Sequence, residues 1–166
     1  MSQLKVDSII PRGGLPSGSQ GGIVQIQNTL FKTHTSLSAD SYVDIGLSCT
    51  ITPQSSSNHI LCYFGIRCCP SGDARFTANL LRGSTTLDIG NSGNSVASDD
   101  IGLVDGTFSS NRGAAPISAL YLDTGIATTS ATTYKVQMQV SEIFTINFRN
   151  GSSSGCSFMT LMEVSA

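Results

Sequence analysis

The chain has 166 residues, enough for one domain with a hydrophobic core of its own, and 39% of them are hydrophobic against 12% charged. That balance excludes a disordered tail, and the scarcity of Lys and Glu beside abundant Gly, Ser and Thr disfavours helices. The net charge of −2, with no cluster of Lys or Arg, sets aside nucleic-acid binding, which needs a basic stripe to neutralise phosphates.

The first segment, Leu4-Lys5-Val6-Asp7-Ser8-Ile9-Ile10, is short and apolar. A Gly/Pro/Ser run follows to Gly22 and has too little side-chain volume to seat itself in a core. The segment reads either as a docking arm on a tether, with Leu4, Val6, Ile9 and Ile10 as its anchoring residues, or as a terminus packed on the domain. Residues 1–22 are therefore expected to form an arm and linker, and residues 23–166 the head. The layout is not that of a secretion signal, and no apolar run reaches membrane-spanning length. Together with an odd count of five cysteines, this predicts free thiols in a reducing cytosol.

From Ile23 onward the hydrophobic period is two. Leu47, Cys49 and Ile51 alternate with Ser48, Thr50 and Thr52; Ile60, Cys62, Phe64, Ile66 and Cys68 share one face of the next stretch. Tyr134, Val136, Met138 and Val140 alternate with Lys135, Gln137, Gln139 and Ser141, and Phe144, Ile146 and Phe148 repeat the pattern before Asn150-Gly151. Turn residues at 53–58, 70–73, 82–84 and 91–94 punctuate the strands. With no sustained 3.6-residue period, the prediction is all-β: about ten short strands in an antiparallel β-sandwich, or jelly roll.

Two stretches are apolar on both faces. Leu61 and Tyr63 stand opposite Ile60 and Phe64, and Phe158-Met159-Thr160-Leu161-Met162 behaves alike. A sandwich core covers only one face of a strand, so the second needs a cover, either a neighbouring subunit or a loop of the same chain. Leu61, Tyr63, Met159 and Leu161 are the predicted subunit-interface residues.

Chemistry finds little support. Ser, His34, His59 and Asp can be drawn as a hydrolytic set, yet no Gly-x-Ser-x-Gly elbow occurs, and His34 alternates among polar strand residues. Asp99 and Asp100 are adjacent, which in a strand points them to opposite faces. Cys68-Cys69 lacks the Cys-x-x-Cys spacing of a metal site, and Cys49, Cys62 and Cys68 lie on apolar faces as small hydrophobes. No enzyme activity, cofactor or metal is expected. Gly/Ser/Asn/Asp-rich loops at 71–74, 88–100, 104–115 and 126–131 could hydrogen-bond sugars or a protein surface, or serve as plain connections.

Beyond strand grammar, several phrases run in order through the chain. They are Leu4-Lys5-Val6-Asp7-Ser8-Ile9, Tyr42-Val43-Asp44, Gly46-Leu47-Ser48, Ile51-Thr52-Pro53-Gln54-Ser55-Ser56-Ser57, Ile60-Leu61, Leu80-Leu81-Arg82-Gly83-Ser84-Thr85, and the residues from Thr128 to Gln137. The chain closes with Met159-Thr160-Leu161-Met162-Glu163-Val164-Ser165-Ala166. In these it resembles the tail-fibre-like virion proteins of marine and cyanobacterial phages. It departs from them at Thr124-Gly125-Ile126-Ala127, where a Pro-containing turn is expected, and in its cysteine content. The resemblance implies a homotrimeric jelly roll of the C1q/TNF-like type with its last strand near the subunit interface, assembled in the host cytoplasm and carried on the virion. The implied partners are sister copies, other virion proteins and a host receptor or glycan, without membrane insertion. A short tail fibre or receptor-binding module held by the arm is the first expectation, and a capsid decoration docking on the shell the alternative. A depolymerase would need clustered acids or a long β-helix, and neither is visible.

Overall fold

A computed structural model describes residues 22–87, 104–108, 115–147 and 155–166. Within them the chain is all-β. The strands in order are β1 (Ile23–Phe31), β2 (Thr35–Leu37), β3 (Val43–Ile51), β4 (His59–Pro70), β5 (Ala74–Arg82), β6 (Thr85–Thr86), β7 (Val104–Phe108), β8 (Ala115–Asp123), β9 (Thr132–Val140), β10 (Phe144–Ile146) and β11 (Ser157–Val164). Every pairing is antiparallel.

Several short strands are halves of one row. Ile60 to Gly65 of β4 pair with β8 and also with β11, so β8 and β11 lie on opposite edges of β4. Cys68 pairs with both β8 and β10, which places β10 in line with β11. By the same logic β1 and β2 form one broken row, as β6 and β7 do beside β5. Sheet A therefore reads β1/β2, β11/β10, β4, β8, and sheet B reads β3, β9, β5, β7/β6. Consecutive rows mostly alternate between the two sheets, the eight-row, two-sheet pattern of a jelly roll.

Alternation fills the space between the sheets. Ile60, Cys62, Phe64, Ile66 and Cys68 of β4 are buried against Tyr134, Val136, Met138 and Val140 of β9 and Leu47, Cys49 and Ile51 of β3. Phe76, Phe108 and Phe144 close one end of this core, with ring centroids 5.4 to 6.0 Å apart.

The broken row is repaired by one residue. Asn147 follows β10 with φ of 54°, a conformation Asn tolerates better than most residues, and its side chain is buried where β1 gives way to β2. Its Nδ2 donates to the carbonyls of Phe31 and Thr33, both at 2.9 Å, and its backbone N–H donates to Arg67 O at 2.7 Å. Ser157 Oγ donates to Asn147 Oδ1 at 2.7 Å and accepts from Arg67 N at 3.1 Å. Gly155 closes over this knot: a Cβ there would lie 3.0 Å from the Asn147 backbone and 2.6 Å from Arg67 Cδ.

Three expectations change. His34 lies exposed in the break between β1 and β2, not within a strand. Part of the loop expected at 104–115 is strand β7. Met159 and Leu161, expected at a subunit interface, are wholly buried in the core. The arm residues Leu4, Val6, Ile9 and Ile10, the turn at Asn150-Gly151, Phe148, and the Asp99-Asp100 pair lie outside the described residues.

Candidate interaction surface

The outer face of sheet A is assembled from the second apolar parity of its strands. Register puts Ile26, Met162, Leu61 and Leu122 in one row across β1, β11, β4 and β8. The next row is Asn28, Thr160, Tyr63 and Leu120, and the third is Leu30, Phe158, Gly65 and Ser118. Leu120 keeps 61% of its surface exposed, Leu30 56%, Ile26 54%, Leu122 46% and Tyr63 39%. Single exposed apolar residues are ordinary on a protein surface, but adjoining rows across four strands make a patch.

An aromatic pair sits in the middle. Phe158 lies over Gly65, so close that a Cβ on Gly65 would stand 2.5 Å from its ring, and it meets Tyr63 edge-on at 5.2 Å. Only the missing side chain of Gly65 lets Phe158 lie flat there. Gly65 and Tyr63 thus fix the Phe158 ring on this face. Asn28 Nδ2 donates to Thr160 Oγ1 at 2.8 Å, so these two polar groups of the middle row are matched within the face.

The outer face of sheet B is built differently. Asp44 accepts from Lys135 Nζ at 2.8 Å and Gln137 Nε2 at 2.7 Å, and Thr50 and Thr133 share a hydrogen bond at 2.7 Å. The bond from Lys135, then that from Gln137, hold the Asp44 carboxyl below its ordinary range. Along β3 and β9 this face is polar, and these groups satisfy one another.

Two buried carboxylates fix the end of the sandwich where β1 begins. Both Asp123 and Glu163 are paired in register with Ile60, one on each side of it. Asp123 receives Arg82 Nη1 at 2.8 Å on both oxygens, Tyr134 Oη at 2.7 Å and Gly125 N at 2.9 Å, tying β8 of sheet A to β5 and β9 of sheet B. Burial, and then the bond to Asp123, push the Tyr134 phenol far above its usual range. Glu163 instead has neutral donors: Gln25 Nε2 and Asn58 Nδ2 at 2.6 Å, Gln54 N at 2.8 Å and Ser55 N at 3.3 Å. Burial, the largest influence, raises its carboxyl, yet these four bonds together hold it below the ordinary value.

The predicted interface residues thus divide. Leu61 and Tyr63 lie on the outer face, whereas Met159 and Leu161 fill the core beside Phe64 and Cys62. Sequence reasoning missed Ile26, Leu30, Leu120, Leu122 and Phe158. The available signal was the double apolar parity of Ile117-Ser118-Ala119-Leu120-Tyr121-Leu122. Cys49, Cys62 and Cys68 are buried thiols outside any disulfide, and burial pushes Cys68 up to about 12 and Cys62 higher still, which leaves those two unreactive. His59 begins β4 beside Val164, and its Nδ1 has no partner among the described residues. Among those residues no three His, Cys, Asp or Glu side chains converge as metal ligands. No protein-family model matches the chain, and no curated protein matches it either.

Proposed function

We propose that the chain is a non-enzymatic surface module of a phage particle. It works as a homotrimer, held to the virion through its N-terminal arm and joined to sister copies through the outer face of sheet A. The observation that carries the association is the four-strand apolar face centred on Tyr63 and Phe158, set against a polar outer face on sheet B. Burying a Leu side chain completely contributes roughly 1.5–3 kcal/mol, so a few such residues sealed by neighbours supply the driving force of a stable assembly. The resemblance to tail-fibre-like virion proteins supplies the phage setting and the number three. Gly22, where the arm joins the head, is pinned to the last strand's end: Ser165 N donates to Gly22 O at 2.9 Å, and Gly22 N donates to Ser165 Oγ at 3.1 Å. A pull on the arm is therefore delivered to the folded head.

Sedimentation of the full chain tests the association. A trimer at micromolar concentration is the expected species, and Leu120→Lys should shift it to folded monomer with an unchanged far-ultraviolet spectrum. A wild-type chain that sediments only as monomer defeats the reading.

A further inference from the structure

A second feature lies at the opposite pole of the sandwich. β4 runs from His59, beside the arm root, to Pro70, and its twelve residues span about 40 Å at ~3.3 Å each. At the Pro70 end a cleft of about 780 Å³ opens between the starts of β3 and β5 and the ends of β7 and β9. Phe76 and Phe108, stacked with centroids 5.4 Å apart, form its apolar floor. Asp40, Asp73, Arg75, Thr107 and Ser141 stand around its mouth.

The frame of this cleft is stiff. Arg75 N donates to Ser141 Oγ at 2.9 Å, Ser141 N donates to Arg75 O at 3.0 Å, and Gln139 Nε2 donates to Asp40 O at 2.7 Å. These bonds engage the backbone of Arg75 and Asp40 and leave the charged ends of those two side chains unused. Among the described residues, neither the Arg75 guanidinium nor the Asp40 carboxylate has a hydrogen-bond or ion-pair partner.

From this we infer that the cleft is a saccharide-binding site, preferring uncharged to acidic sugars. An acidic ligand entering it would meet the carboxylates of Asp40 and Asp73 as well as the guanidinium. A neutral polyhydroxylated ligand satisfies both signs at once, donating hydroxyls to Asp40 and accepting from Arg75, while its apolar ring face rests over the aromatic floor. The volume is that of a small-molecule pocket. Its outward placement, at the pole away from the arm root, takes its meaning from the virion-surface reading above. Sugar binding itself is measured on the free chain and does not depend on that reading.

Saturation-transfer NMR on the full chain, with maltotriose, lactose and chitotriose as neutral probes and sialyllactose as the acidic one, decides the matter. Transfer to at least one neutral sugar is expected, stronger than to sialyllactose. Arg75→Ala and Asp40→Ala should each weaken that binding about fivefold or more, as loss of one hydrogen bond to a charged group does. Both positions are exposed, so the variants should keep the parent melting temperature. Leu120→Lys, on the distant sheet A face, should bind sugar as the parent does. Absence of transfer to all three neutral sugars, preference for sialyllactose, or undiminished binding by both cleft variants would overturn the inference. A monomeric chain that still binds neutral sugar would sink the trimer alone.

Discussion

Glu163 shows how much a single buried charge can organise when neutral dipoles replace a cation. Its four donors come from β1 and from the 53–58 connection, so one carboxylate closes the end of the sandwich where β1 begins. A carboxyl whose folded value is depressed adds stability that is fully present above its ordinary value of 4.5 and is lost as pH falls through the lower folded value. Glu163→Gln exchanges an acceptor for a donor facing other donors, and near neutral pH it should cost about 2 kcal/mol in urea unfolding. The deficit should narrow as pH drops below 4.5, because the parent then loses the same charge; a deficit independent of pH would show that shape alone matters. Asn147 poses the complementary question of conformation against hydrogen bonding. Asn147→Ala abandons three side-chain bonds at a left-handed position and should cost about 3 kcal/mol, and Asn147→Gly, free of the φ penalty, should recover about 1 of that. Equal losses in the two variants would mean the bonds carry everything. Neither residue was legible beforehand, because nothing local in the chain says that position 147 meets 31, or that 163 meets 54.

At the scale of strands, legibility followed parity. Where only one parity is apolar, as in β9, alternation alone assigns the buried side, and Tyr134, Val136, Met138 and Val140 all lie in the core as expected. In β11 both parities are apolar, and periodicity cannot choose between them. The choice is made across strands: Met159 and Leu161 pair with Phe64 and Cys62, whose inward side was already settled, so Phe158 and Met162 must point out. Gly65 then makes room for Phe158, a close approach that only the paired register reveals. Gly65→Ala tests whether that arrangement serves association more than folding. The added methyl displaces the Phe158 ring, which can swing away, so monomer stability should change by less than about 1 kcal/mol. If copies associate as proposed, trimer affinity, followed by dilution, should fall about tenfold as the preset Tyr63–Phe158 pair is lost. A large folding defect with unaltered affinity would place Phe158 in the fold's service instead.

The whole molecule sets an apolar sheet face against a polar one, and the two kinds of surface predict opposite responses to solvent. Sheet B meets water with the Asp44, Lys135 and Gln137 network and the Thr50–Thr133 pair, groups whose attraction salt would screen. Across sheet A the rows from Ile26 to Leu122 and from Leu30 to Phe158 have no ion pair to screen, since the two salt bridges among the described residues lie elsewhere. If copies meet through sheet A, the trimer dissociation constant should change less than about threefold between about 0.05 and about 1 M sodium chloride. Sulfate should tighten the assembly and cooling toward 4 °C should loosen it, because exclusion of sulfate strengthens apolar burial and low temperature weakens it. Sedimentation at two temperatures and in two salts reads both effects on one sample. Association that collapses in sodium chloride yet survives the cold would belong to a polar contact, and the greasy rows of sheet A would then need another tenant.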